Sequence, residues 1–215
     1  MHSNRALQEF LTEELLPYFE HKKYVWNSGL KQFIRPTRFG HAGILTLITG
    51  SENVHTVQFF IGIRHELVEQ RLASLQGTAP YYQSQSYTLL PSIEQIIVNR
   101  RAERLVCENK DDVRSVAEMF INFMDMEGFD FLNHYRKIAS LDMLFNQNCE
   151  VGRRWSNYSY QYSFRAMILA KLRNRSDMDD LYRAHRRFLL ERGCPSQIIG
   201  KFDANFAQLK THSFN

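Results

Sequence analysis

The sequence predicts an α+β fold with an N-terminal helix, an antiparallel β-meander and a mainly helical C-terminal half. Three observations predict it. Apolar residues recur every three or four positions over the first twenty residues; short β-branched and aromatic runs bounded by turn residues follow, from Tyr24 to Arg64; from Asn109 the helical period returns and holds almost to the end. At 215 residues and 44% hydrophobic the chain is long enough for one full core, and no Pro-, Gly- or Ser-rich linker of any extent interrupts its patterning. The expected organisation is a single domain over 1–215, sheet-rich at 20–107 and helical at 109–209.

Leu7, Phe10, Leu11, Leu15, Tyr18 and Phe19 define the first amphipathic helix, with Glu9, Glu13 and Glu20 on its other face. Strands are expected at 24–26, 31–35, 43–49 and 54–64. The clearest hairpin turns through Gly50, Ser51, Glu52 and Asn53, after which Val57, Phe59, Ile61 and Ile63 alternate onto one face. Connections this short cannot cross over, so the strands must be antiparallel. Val68, Leu72 and Leu75 then mark a helix over 65–75, with Glu66, Glu69 and Gln70 off its apolar face. The polar run Gln76 to Ser86 reads as a surface loop. Tyr87 to Leu90 and Arg104 to Cys107 are candidates for further strands, with a candidate helix at 93–100 between them.

Asn109 has the chemistry of an N-cap, and Asp111 and Asp112 sit in the first turn, where the helix dipole favours negative charge. Val113, Val116, Phe120, Phe123 and Met124 form the buried stripe of that helix, and Gly128 is expected to end it in a left-handed conformation. Further helices are expected at 130–139, 141–145, 164–172, 179–192 and 197–209.

The chemistry excludes more than it assigns. There is no Gly-rich phosphate loop, no GxSxG elbow, no HExxH and no pair of CxxC knuckles, so no catalytic residue, cofactor or metal ligand is assigned. Cys107, Cys149 and Cys194 lie more than forty residues apart and are odd in number, which fits reduced thiols in a cytosol. No span approaches eighteen uninterrupted apolar residues, and the amino terminus lacks a positively charged start followed by an apolar run. A soluble cytoplasmic protein without membrane contact is expected. His65 and Glu66 are the nearest approach to an acid/base pair, but adjacent helical residues diverge by about a hundred degrees. They read as a junction residue and a solvated carboxylate, and His134 beside Tyr135 reads as a packed or half-exposed histidine.

The segment from Gly152 to Arg192 stands out, with ten Arg and Lys against four Asp and Glu in a chain whose net charge is only +4. It also holds Trp155, Tyr158, Tyr160, Tyr162 and Phe164. An extended YSYQYSF would line its aromatics on one face as a stacking platform beside Arg153 and Arg154. A helical one would bury Tyr162 in a stripe with Tyr158, Ala166 and Leu169. The helical reading is preferred, because the helix at 164–172 follows without a break. Farther on, Asp179 and Arg183 form an i,i+4 pair, whereas Arg186, Arg187 and Arg192 have no such partner in sequence. The candidate partner-binding surface is therefore Arg153, Arg154, Arg183, Arg186, Arg187 and Arg192.

Two stretches, LLPYFEHKKYVWNSGLKQFIRPTRFGHAGILTL and SLDMLFNQN followed by FRAMILAKLRNRSDMDDLYRAHRRFL, resemble the opening and closing segments of an uncharacterised group of bacterial proteins of unknown function. The resemblance covers about a third of the chain. It implies a single α+β domain of bacterial origin and brings no activity, cofactor or site residue. On this reading the chain is a non-catalytic protein-binding module, of immunity or antitoxin type, with an acidic protein as partner. The alternatives are a nucleic-acid-associated protein using the basic 152–192 segment and an enzyme whose site is dispersed.

Overall fold

The computed structural model describes residues 3–51, 54–77, 85–97, 105–147, 149, 155 and 159–211. The chain has an N-terminal helix, a five-stranded antiparallel sheet and a mainly helical C-terminal half. It divides into two compact units, Met1–Ile63 with Leu90–Asn133 and Arg64–Leu89 with His134–Asn215. The division does not follow chain order. The first helix of the later half belongs with the sheet, and the segment after the fourth strand belongs with the later helices.

In the first unit, α1 (Asn4–His21) starts at Ser3, whose hydroxyl accepts from the Ala6 N–H, and buries Leu7, Leu11, Leu15 and Phe19 along one stripe. Strands β1 (Val25–Asn27), β2 (Gln32–Thr37), β3 (Gly40–Ser51), β4 (Val54–His65) and β5 (Leu105–Cys107) lie side by side in that order. Pairs such as Phe33 with Ile44 and Val57 with Leu105 fix the register. Val57, Phe59, Ile61 and Ile63 are buried, and of the residues between them Gln58 and Phe60 are half-buried while Gly62 is buried. That is the outcome expected of a strand with one face in the core. The hairpin residues Glu52 and Asn53 lie outside the described residues.

Helix α4 (Lys110–Phe123), with α3 (Ile93–Ile96) preceding β5, packs against α1. Asn109 caps α4 by accepting from the Asp111 and Asp112 N–H groups at 2.8 and 3.0 Å, and the Asp112 carboxylate returns the bond by accepting from the Asn109 N–H. This is the reciprocal capping box. The core is aromatic. Phe59 stacks on Phe120 with ring centres 3.9 Å apart, Phe19 lies 4.9 Å from Phe33 and 5.9 Å from Phe120, and all four rings are fully buried.

Two expectations are corrected here. Residues 87–90 do not form a strand: only Leu89 makes a bridge, and Ser92 pairs singly with Phe60. The backbone around Pro91 instead accepts from the Ile61 N–H and turns into α3, where Gln95 and Ser92 make a second capping box. Gly128 does not end α4. The chain continues through a wide turn, Met124–Gly128, into α5 (Phe129–Tyr135). Gly128 does not adopt a left-handed backbone, and a Cβ on it would lie 2.5 Å from the sulfur of Met124, the movable end of a flexible side chain that would have to shift.

The second unit is built round α7 (Ser159–Leu172). Helices α2 (Glu66–Gln76), α6 (Ile138–Asn146), α8 (Met178–Glu191) and α9 (Ser196–Thr211) all pack on it. Every residue from Tyr162 to Ala170 is buried. A helix covered on all sides is apolar all round, which is why its periodicity in sequence is weak. Tyr162, Ala166 and Leu169 are core, as the helical reading requires; Tyr158 lies outside the described residues.

Candidate functional site

The central helix carries two polar side chains that need partners from elsewhere. The first is Arg165, whose Nε and Nη2 donate to the two carboxylate oxygens of Glu69 on α2 at 2.8 and 2.9 Å. Glu69 is therefore not off the apolar face of its helix; it is 1% exposed. Burial alone would push its carboxyl up, but the Arg165 guanidinium and hydrogen bonds from Ser86 and Thr88 outweigh that and hold it below its ordinary range. Just before α2, Arg64 is also buried and makes a fork to Glu66 at 2.8 and 3.0 Å, with its third nitrogen on Ser86. Glu66 is thus an ion-pair partner as well as a half-exposed carboxylate. His65 is a buried junction residue whose imidazole is held below its ordinary range by burial, against the opposing pull of Glu69 and Glu66.

The second polar side chain is Ser163, which opens a network under α8. His185, fully buried, points Nδ1 at Ser163 Oγ at 3.3 Å, and the Cys149 sulfur lies beside its ring, 3.6 Å from Nδ1 and 3.8 Å from Nε2. Its Nε2 lies 3.0 Å from Asn146 Oδ1. The Asn146 amide donates through Nδ2 to Asp142 at 2.7 Å and to the Ala166 carbonyl at 2.9 Å. Asp142 in turn meets Arg175, 3.4 Å away, which forks onto Asp177.

This network fixes a tautomer. Because both Asn146 donors are aimed at acceptors, the atom facing His185 is the amide oxygen, which only accepts; Nε2 must carry the proton. Nδ1 is left as a lone pair that faces the Ser163 hydroxyl. Burial drives the His185 imidazole down to about 4, so it is neutral at ordinary pH. The sign for stability follows. The unfolded imidazole takes up its proton as pH falls through about 6.5 while the folded one resists until about 4, so stability is lost across that window. The loss is expected to be about 3 kcal/mol. Urea midpoints at pH 7 and 4.5 should fall more in the parent than in His185→Gln; parallel falls would contradict this assignment.

The basic segment looks different once folded. Arg153 and Arg154 lie outside the described residues. Arg183 pairs with Asp180, not with Asp179, which is taken instead by Lys210 of α9 at 2.9 Å. The Nε of Arg186 donates to both carboxylate oxygens of Asp203 on α9, at 3.0 and 3.3 Å, beside Tyr182, whose hydroxyl donates to the same carboxylate at 2.6 Å and whose ring stacks on Phe206 at 4.1 Å. Arg192 lies over the Phe188 ring at 5.6 Å. Glu69, Asp142 and Asp203 come from outside residues 152–192, and so does Lys210, which takes Asp179, so these pairings offset two of the segment's surplus of six positive charges. Arg187 is exposed and has no ion-pair partner among the described residues. It shares an exposed stripe of α8 with Arg183 and Leu190, at i−4 and i+3, and Leu190 is 51% exposed.

His134 is exposed and meets Tyr135 edge to face at 4.7 Å. None of the three cysteines forms a disulfide. Among the described residues no group of three or more His, Cys, Asp or Glu side chains could hold a metal ion, and no helix is long and apolar enough to cross a membrane. Comparison with protein-family models, with curated proteins and with solved structures finds no match.

The sequence reading missed Glu69, Asn146 and His185. Only His185 carried a local signal, since Leu181, His185, Phe188 and Leu189 fall on one helical stripe and are all buried. The Cys149 to His185 separation of 36 residues has no local pattern to find.

Proposed function

We propose that the protein is a non-catalytic protein-binding module, of immunity or antitoxin type, and that the exposed stripe of α8 receives an acidic protein partner. The observation that carries this reading is Arg187, an arginine exposed without an ion-pair partner among the described residues, on the same stripe as the exposed Leu190. Arginine beside apolar surface is the composition favoured where one protein meets another. Arg183 adds to the stripe, because its pair with Asp180 is solvent-exposed on both sides and exchanges for an incoming carboxylate at little cost. The immunity or antitoxin type rests on class-level analogy with small bacterial α+β proteins that lack an active-site signature.

Nucleic acid is the competing partner for a basic face, and the internal pairing of Arg165, Arg175 and Arg186 weighs against it. The two differ in salt response. A random oligonucleotide should bind only weakly at physiological salt, and Arg186→Ala with Arg187→Ala should change that little. Submicromolar oligonucleotide binding with a steep salt slope, abolished by that double change, would overturn the protein-partner reading.

A further inference from the structure

We infer that the outer face of the five-stranded sheet is a dimerisation surface, on which a second copy of this chain packs face to face. The face belongs to the first unit and shares no residue with the α8 stripe. Side chains alternate along a strand, so the burial of Val57 and Phe59 in the core turns Thr56, Gln58 and Phe60 outward. Residues paired across strands share a face, and the pairs Val25 with Ile34, Gln32 with Leu45 and Thr56 with Val106 carry it from β1 to β5. Leu47, two residues beyond Leu45, lies on it too.

The solvated face of an antiparallel sheet is ordinarily polar. This one is apolar: Val25, Leu47, Val54 and Val106 are between 42% and 67% exposed, and Leu45 and Phe60 among them are half-buried. From β1 across to β5, and along β4 as far as Phe60, no described residue on this face is Asp, Glu, Lys or Arg, in a chain where 23% of residues are. That chemistry selects the occupant. An acidic partner or a phosphate backbone finds no counter-charge here. A second copy meets the face without like-charge repulsion, because a two-fold interface sets each patch against itself. The strands, twelve residues long in β3 and β4, give the face a footprint of about 600 Å², so two copies cover about 1,200 Å², enough for a specific interface. The sheet edges offer less, since β1 and β5 are three residues each and present few backbone groups to an added strand.

Sedimentation velocity of the full chain over a range of concentrations tests the pairing. At about 10 µM the parent is expected to sediment at twice its chain mass of 25.4 kDa. Leu47→Lys with Val106→Lys sets ammonium groups in the middle of the face and should raise the dimer dissociation constant about a hundredfold or more. Both side chains point away from the core, so the far-ultraviolet circular dichroism of this variant should match the parent. Leu47→Thr with Val106→Thr keeps strand propensity and adds no charge, and should weaken the dimer about tenfold without disturbing the fold. Met119→Lys supplies the control. It places the same charge on an apolar residue of α4 that is 44% exposed, away from the sheet's outer face, and should leave the dimer intact. A parent that stays monomeric up to about 100 µM, a dimer unmoved by both double changes, or an equal loss in Met119→Lys would overturn the inference.

Discussion

Replacing Arg165 with Met is expected to destabilise the protein by about 3–5 kcal/mol, because it leaves the Glu69 carboxylate buried without its counter-charge. Glu69 is 1% exposed and Arg165 6%, so water does not replace the lost partner. The paired change Arg165→Met with Glu69→Leu should recover most of that loss, since two apolar side chains of similar volume remove both desolvation costs together. Urea melts of the two single variants and the double variant measure this. Additive losses in the double variant would mean that Glu69 and Arg165 act independently, contrary to their two-bond fork at 2.8 and 2.9 Å.

Phe59→Ala should cost about 3–5 kcal/mol as well, for a different reason. Its ring fills the space between the sheet and α4 and stacks on Phe120 nearly parallel, at 8°. Truncation loses transfer free energy and leaves a cavity that four mutually packed rings close poorly. A urea melt matching the parent would contradict the position of Phe59 at the centre of the sheet's buried face.

These two residues mark what the sequence made legible. Phe59 was readable because a strand's period of two acts over neighbouring positions: Val57, Phe59, Ile61 and Ile63 are buried as their alternation requires. The caps at Ser3 and Asn109 and the stripes of α1 and α4 are local in the same way. Glu69 reads as lying off the apolar face of its helix because its partner lies 96 residues away. The same distance effect hid the clasp between Arg186 and Asp203, and it made the 152–192 segment look more basic than its folded surface is. Gly128 misled because a glycine after an apolar stripe suggests a left-handed end, whereas here the chain runs on through the wide turn Met124–Gly128 without one. Of the six candidate arginines, Arg183, Arg186, Arg187 and Arg192 fall on or immediately after α8, yet only Arg187 is without an ionic or ring contact there.

The most direct test of the α8 stripe is photo-cross-linking from position 190 in the full chain, expressed in cells of its own source. A photoreactive side chain at Leu190 should capture one protein. With purified components that protein should bind the parent at a defined stoichiometry and with shallow salt dependence, and Arg187→Glu should weaken the complex by about tenfold or more. The same probe placed at the exposed Glu118 of α4 should not capture it. Capture of the same protein from both positions, or a purified complex indifferent to Arg187→Glu, would contradict the stripe as the working surface.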